Sequence, residues 1–184
     1  ISACLVGSEM CIRDRAMASS GADVIDLGCL PDTPFPHLED AIQALKAEGL
    51  AVSVDSADRG ELARAARAGA DYLLSLTEHT LDIALEGDCI PILVPAEPRD
   101  LGSLLRAVDA ATDRGLSFIA DPVLDPIHFG FTDSLARYHA LRAARPDIDI
   151  MMGTGNLTEL TEADTSGITC LLYTSDAADD SLRV

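Results

Sequence analysis

Positive charge is scarce in this chain. Its 184 residues include 13 Lys and Arg against 31 Asp and Glu, which gives a formal net charge of −18 at pH 7. A surface of this sign repels the phosphates of nucleic acids and the headgroups of anionic membranes. We therefore expect neither nucleic acid nor a membrane surface among the partners of this protein.

Long apolar runs are also missing from the sequence. No run approaches the roughly 20 residues that a membrane-spanning helix needs. The opening segment, Ile1 to Val6, lacks the basic flank that precedes the apolar part of a secretory signal. The sequence therefore predicts a soluble protein of the cytoplasm.

Both ends of the chain resemble translated sequencing adaptors. Residues 5–15 can be back-translated into the transposase mosaic end used to prepare sequencing libraries, and residues 170–179 into the same element on the opposite strand. The two segments thus encode reverse complements of each other, which chance rarely produces. We expect residues 1–15 and 170–184 to be adaptor-derived and residues 16–169 to be a metagenomic fragment of a longer protein.

Patterns for metal binding or nucleophilic catalysis are absent from residues 16–169. Cys29 and Cys89 are the only cysteines there, and they are too far apart for a disulfide framework or a metal-ligand motif. The four histidines show no metal-type spacing, so we expect no metal. Neither Ser nor Cys stands in a nucleophile elbow. These patterns identify no catalytic residue.

Short apolar runs alternate with segments of helical periodicity. Such runs are typical of parallel strands buried on both faces. An example of the helical pattern is the stripe formed by Leu38, Ile42 and Leu45. The predicted strands are Asp23–Leu27, Ala51–Asp55, Tyr72–Ser75, Ile90–Val94, Ser117–Asp121 and Asp149–Met152. This alternation predicts an α/β fold of about six βα units in one domain.

Two features favour a (β/α)8 barrel over an open doubly wound sheet. No Gly-x-Gly-x-x-Gly fingerprint follows the first strand, as a dinucleotide-binding sheet would have. Polar residues stand near the carboxyl ends of nearly all the strands, which is where a barrel gathers its site. They are Asp26, Asp55, Ser75, Glu97, Asp121 and the turn from Gly153 to Asn156. Six βα units are two fewer than such a barrel contains, so we expect an incomplete barrel.

Three of these polar residues are carboxylates on different strands. Asp26, Asp55 and Asp121 would converge at one mouth, where their mutual repulsion needs donors or a ligand to balance it. A heterocycle with amino and N–H groups would suit such acceptors. The alternative is that each Asp caps the helix that follows it, since strand-to-helix loops favour Asp at that position. His128, in a loop after a strand, is a further candidate for the mouth.

A glycine-rich turn follows the last predicted strand. The backbone N–H groups of Gly153, Thr154 and Gly155 would lie at a helix start, where such groups bind anions. The alternative is plain turn chemistry with Asn156 as the helix cap. A phosphate-binding barrel enzyme is a further interpretation, and it would rest on this turn alone.

Taken in order, these motifs resemble those of the dihydropteroate synthases, a family of pterin-binding TIM barrels. Gly21 to Gly28 resembles the second-strand signature of that family, and Val52 to Ser56 resembles its third strand. Ala120 to Pro122, followed by Phe129 to Phe131, is similar to its sixth strand. Gly153 to Asn156 falls where the seventh strand of the family carries Gly-x-Ser-Arg-Lys. The resemblance covers nearly all of residues 16–169. It implies that the first strand of the barrel is missing, together with most of the eighth, which would begin at Gly167.

The chain departs from the synthase pattern at several positions. Leu30 to Pro34 replaces the Ser-Thr-Arg-Pro loop, which serves catalysis with p-aminobenzoate and pyrophosphate in that family. Ser75 stands where the family usually has an Asn, and Asn156 replaces a lysine. Asn156 and the run Asp121 to Leu124 are closer to pterin-dependent methyltransferases. Asp125-Pro126 offers a second Asp-Pro, but Asp121 directly follows the predicted strand and is preferred.

The resemblance implies a dihydropteroate synthase-like protein of folate or tetrahydromethanopterin one-carbon metabolism. Its ligand would be a reduced pterin bound by Asp55, Ser75, Asp121 and Asn156. The alternatives are a corrinoid-linked, pterin-dependent methyltransferase subunit and a non-catalytic pterin binder. We expect the fragment itself to be inactive, while the interpretation allows a transferase and a homodimer for the parent.

Overall fold

The computed structural model describes residues 16–158, 160 and 167–168. They fall into two compact units. The first comprises the described residues up to Leu76 together with Thr80–Pro91, and the second comprises Thr77–His79 together with the described residues from Ile92 onward. No helix in the described part of the chain is both long and apolar enough to cross a bilayer.

The first unit alternates parallel strands with helices. Its elements are β1 (Val24–Gly28), α1 (Leu38–Ala47), β2 (Ala51–Asp55), α2 (Arg59–Ala68), β3 (Tyr72–Leu76) and a 3₁₀ helix (Leu81–Glu86). Strand β2 pairs in parallel with β1 on one side and with β3 on the other. The register places Gly28 opposite Asp55, so the carboxyl ends of β1 and β2 lie at the same edge.

The core of the first unit forms where the sequence periodicity predicts it. Leu38, Ile42 and Leu45 of α1 are at most 1% exposed, and α1 packs on β2 and α2. Helix α2 begins at Asp58, whose carboxylate accepts a hydrogen bond from the Glu61 N–H at 2.8 Å. It ends at Gly69, whose φ of 92° lies in the left-handed region that glycine adopts without a steric penalty.

Strand β4 (Ile90–Leu93) crosses the boundary between the units, and its last two residues belong to the second. The other elements of the second unit are α3 (Leu101–Asp113), β5 (Ile119–Ala120), α4 (Phe131–Ala144) and a 3₁₀ helix (Thr154–Thr158). Strands β4 and β5 are parallel, and Ala120 forms a single parallel bridge with Ile150. Helix α3 buries the stripe formed by Leu104, Ala107, Val108 and Ala111. The alternation of parallel strands and helices is therefore as predicted.

Two strand predictions at the end of the chain are wrong in extent. The predicted strand 117–121 is only two residues long, since residues 117 and 118 lie outside it. At its carboxyl end, Pro122 has no N–H to continue the ladder. Residues 149–152 consequently meet β5 through one bridge, with backbone hydrogen bonds on either side of Ala120 at 2.9 Å. Gly167 and Ile168 are helical, so the expectation of an eighth strand beginning there is also wrong.

Candidate functional site

The carboxyl ends of β1 and β2 bring two of the predicted carboxylates into one neighbourhood. Ser53 Oγ donates a hydrogen bond to Asp26 Oδ1 at 2.5 Å. Asp55 ends β2, and no described residue donates a hydrogen bond to its carboxylate. Partial burial, and then the negative charge of Asp26, raise the pKa of Asp55 above its ordinary value. Asp58 caps α2, so the alternative that Asp55 is the cap is excluded.

A cavity of about 540 Å³ opens next to these strand ends. Its walls are the segment Cys29–Pro34 after β1 and the beginning of α2, including Arg64. Ser56 Oγ donates to Glu61 Oε2 at 2.6 Å, and the Phe35 N–H donates to Glu61 Oε1 at 3.1 Å. Both oxygens of the buried Glu61 are thereby held.

Two ionisable side chains that line this cavity, Arg64 and Cys29, interact with neighbouring carboxylates. Arg64 Nε donates to Glu39 Oε1 at 2.6 Å, and this contact lowers the pKa of Glu39 to about 2. Burial, and then the nearby Glu61, raise the pKa of Cys29 to about 11. A thiol with this pKa stays protonated near neutral pH and is a poor nucleophile.

In the second unit, Asp121 follows β5 directly and is only 5% exposed. The Tyr138 hydroxyl of α4 donates to Asp121 Oδ1 at 2.7 Å, and the Val123 N–H donates to the same oxygen at 2.8 Å. Burial raises the pKa of Asp121, while these two hydrogen bonds and the charge of Arg137 oppose the rise. Its role as the N-cap of the next helix is excluded, because α4 begins only at Phe131.

The second Asp-Pro of this loop has a different environment. Asp125 Oδ2 lies 3.0 Å from the Arg137 guanidinium and 3.2 Å from that of Arg99. Two cations therefore balance its charge. His128 is exposed and lines a smaller cavity of about 340 Å³. The preference for Asp121 over Asp125 as the ligand-facing residue stays a prediction.

The glycine turn continues into a 3₁₀ helix of five residues. Asn156 lies inside that helix, so it is not the N-cap, and its N–H donates to the Gly153 carbonyl at 3.1 Å. A Cβ at Gly153 would lie 3.3 Å from Asn156 Nδ2, which shows that the amide folds back over the glycine. Such a short helix provides little of the dipole that an anion site requires.

Two further predicted positions, Ser75 and Glu97, differ in their burial. Ser75 lies half-buried within β3, and Glu97 is exposed in the turn before α3, beyond the end of β4. Convergence of Asp26, Asp55 and Asp121 at one mouth remains a prediction. Among the described residues, no group of three or more His, Cys, Asp or Glu side chains is arranged to hold a metal.

Sequence reasoning missed Glu61, Ser56 and Tyr138. The spacing Asp58-x-x-Glu61 is that of a capping box, in which the Glu would bind back to the cap. Instead, Ser56 Oγ accepts from the Asp58 N–H at 3.0 Å, and Glu61 turns to Ser56. Tyr138 belongs to an apolar helical stripe, so nothing in the local pattern separates it from a core residue.

Solved structures with this fold include several dihydropteroate synthases. The enzyme from Thermus thermophilus is 22% identical, with a TM-score of 0.67 over 94% of this chain and 81% of that one. The Vibrio fischeri enzyme is 19% identical, with a TM-score of 0.65 over 97% of this chain and 82% of that one. The Yersinia pestis enzyme, solved with a pterine-sulfa conjugate, is 16% identical, with a TM-score of 0.65 over 96% and 81%. The predicted fold, an incomplete (β/α)8 barrel, is confirmed.

Sequence comparison adds one curated relative. An uncharacterized protein of Methanocaldococcus jannaschii is 28% identical over 83% of this chain. This chain spans about a third of the length of that relative, since the match covers 33% of it. No protein-family model matches the chain.

Proposed function

We propose that this chain is the pterin-binding part of a dihydropteroate synthase-like protein. Asp55 and Asp121 accept hydrogen bonds from the amino and N–H groups of a reduced pterin, and Ser75 and Asn156 contact the same ring. The likeness to synthase barrels supports this proposal, and one of those enzymes was solved with a pterine-sulfa conjugate. The activity of the parent protein is part of the proposal, because the chain matches only a third of its curated relative.

The observation that carries this proposal is the unfilled capacity of two carboxylates to accept hydrogen bonds. No described residue donates to the Asp55 carboxylate, and both donors to Asp121 within the described residues use Oδ1. Leaving an oxygen of the buried Asp121 carboxylate without a donor is costly, whereas the exposed Asp55 carboxylate is open to water or to a ligand. Burial raises the pKa of both groups, and a ligand with N–H donors would stabilise their ionised forms.

We place the parent in the one-carbon, tetrahydromethanopterin-associated branch rather than among complete synthases. The cavity beside β1 and β2 is lined by Asp32, Asp58 and Glu61. Arg64 also lines it, but its guanidinium is already bound to Glu39. A pyrophosphate or the carboxylate of 4-aminobenzoate would meet net negative charge there. This supports a second substrate different from that of the synthases.

Asn156 supports one alternative, a pterin-dependent methyltransferase subunit. Its amide folds over Gly153 and can both donate and accept hydrogen bonds, whereas a lysine at that position would add a cation. Methyl transfer to a corrinoid partner, without dependence on 4-aminobenzoate, would favour this alternative over a synthase.

Titration of the chain with pterin, followed by fluorescence, tests the proposal. Replacing either carboxylate, in Asp55→Ala and Asp121→Ala, should cost about 1.5 to 3 kcal/mol of binding free energy, or roughly 10- to 150-fold in affinity. Asp113→Ala, an exposed change at the end of α3, should bind as the unaltered chain does. Asp121→Asn keeps the volume of the buried side chain and separates lost charge from lost packing.

The same titration decides between binding and catalysis. We expect pterin to bind. We also expect a pterin that carries a pyrophosphate leaving group to undergo no condensation with 4-aminobenzoate, because the chain alone provides an incomplete barrel. Unchanged affinity in both alanine variants would show that the carboxylates do not hold the ring. Measurable turnover would refute the expectation that the chain alone is inactive.

A further inference from the structure

Arg137 and Tyr138, consecutive residues of α4, form hydrogen bonds with the segment that follows β5. Tyr138 donates from its hydroxyl to Asp121 Oδ1 at 2.7 Å. The Tyr138 side chain is 1% exposed. One buried hydroxyl therefore connects α4 to the residue that follows β5.

The hydrogen bonds of Asp121 are distributed unevenly between its two oxygens. The Tyr138 hydroxyl and the Val123 N–H both donate to Oδ1, at 2.7 and 2.8 Å. Oδ2 accepts no hydrogen bond from any described residue, although Asp121 is 95% buried (5% exposed). Buried polar atoms nearly always have a partner. An unpartnered carboxylate oxygen at this depth points to a donor that comes from a ligand.

The backbone beside Asp121 is strained in a way that maintains this arrangement. Val123 has a φ of 65°, in the left-handed region that a β-branched residue rarely adopts. Such a conformation persists only where neighbouring contacts hold it in place. Arg137, whose side chain is 10% exposed, donates to the Val123 carbonyl at 2.7 Å and to the Pro122 carbonyl at 3.3 Å. It also contacts Asp125 Oδ2 at 3.0 Å.

We propose that Tyr138 and Arg137 are positioning residues that fix the rotation of the Asp121 carboxylate and present Oδ2 to the ligand. Arg137 holds the carbonyl side of Val123, so that the N–H of the same residue points at Oδ1. Tyr138 occupies the remaining site on that oxygen. This inference rests on the proposed pterin site and adds that recognition depends on one pre-oriented oxygen.

The test compares Tyr138→Phe with Tyr72→Phe in the full chain, using pterin as the probe. Both variants lose one hydroxyl, and Tyr72 lies at the start of β3, away from Asp121 in sequence and outside the contacts described above. We expect Tyr138→Phe to bind pterin about tenfold more weakly at pH 7.5, as the loss of one charge-assisted hydrogen bond implies. Tyr72→Phe should bind as the unaltered chain does.

A pH profile separates positioning from packing. The charged and titratable groups that face Asp121 are Tyr138 and Arg137, both from α4. The Tyr138 hydroxyl stabilises the ionised carboxylate, so its removal raises the pKa of Asp121. Pterin binding needs the ionised form and should therefore be lost at a higher pH in Tyr138→Phe as acid is added. A role in packing alone would lower affinity without moving this midpoint.

Two further measurements keep the outcomes distinguishable. Carbon-13 NMR titration of the Asp121 carboxyl reports its coupling to Tyr138 without any ligand. Arg137→Lys keeps the charge but loses the planar fork, and we expect severalfold weaker pterin binding from it. If the unaltered chain does not bind pterin, the proposed function fails and the positioning role fails with it. If it binds, and Tyr138→Phe shows the same affinity and midpoint, only the positioning role is overturned.

Discussion

At the residue scale, two aspartates that both end strands are controlled by different surroundings. Asp55 is exposed and close to Asp26, whereas Asp121 is buried and holds two donors on one oxygen. The sequence identifies both positions, since each follows an apolar run that ends at the edge of a parallel sheet. It does not reveal Tyr138, because that contact joins residues 17 positions apart through the tertiary fold.

Cys29 provides a residue-scale prediction. Its pKa of about 11 implies that alkylation at pH 8 is about a hundredfold slower than for an ordinary free thiol. Glu61→Gln removes the negative charge that contributes to this rise, so Cys29 in that variant should react several times faster. Peptide-resolved mass spectrometry after iodoacetamide treatment measures the rate at each cysteine.

Cys89 is the internal control for this experiment. Burial and Asp88 raise its pKa, and Glu61 is not among the causes. Its rate should be the same with and without Glu61→Gln. An equal acceleration at both cysteines would indicate general loosening of the fold and would contradict an electrostatic effect of Glu61 on Cys29.

At the element scale, sequence patterns predicted the strands and helices well where local chemistry decides their ends. Strand β2 has the predicted bounds, and the buried stripe of α1 is the predicted one. The prediction failed at β5, where Pro122 stops the ladder early, and at residues 149–152, whose pairing depends on the length of that neighbour. A strand can be only as long as its partner allows, which no local window of sequence contains.

The N-caps give a prediction at this scale. Asp58 and Asp100 cap α2 and α3, each accepting a hydrogen bond from an N–H three residues on, at 2.8 and 3.2 Å. Asp58→Ala and Asp100→Ala should each lower the free energy of unfolding by about 1 kcal/mol. Urea denaturation followed by circular dichroism measures this. Asp113→Ala, at the other end of α3, should have a smaller effect, and an equal loss there would argue against capping as the cause.

At the scale of the whole molecule, the chain carries far more negative than positive charge. Most ion pairs among the described residues are at least partly exposed. The contact between Arg145 and Asp109 at 2.6 Å is of this kind. Exposed pairs contribute little to stability. We infer that burial of the apolar faces of α1 and α3 stabilises each unit by itself more than surface ion pairs do.

The expected adaptor origin of the two terminal segments can be tested by removing them. If residues 1–15 and 170–184 are adaptor-derived, a shortened chain of residues 16–169 should retain the circular dichroism spectrum and the pterin affinity of the full chain. Every residue proposed to touch the ring lies within 16–169, as do the buried faces of both units.

The matched control removes residues 16–28 as well as 1–15. It deletes β1, the partner of β2, and with it Asp26. That variant should lose cooperative unfolding, because β2 would become an unpaired edge beside an exposed core. If the shortened chain of residues 16–169 unfolds as readily as this control, the terminal segments are part of the folded protein and the domain proposal is wrong.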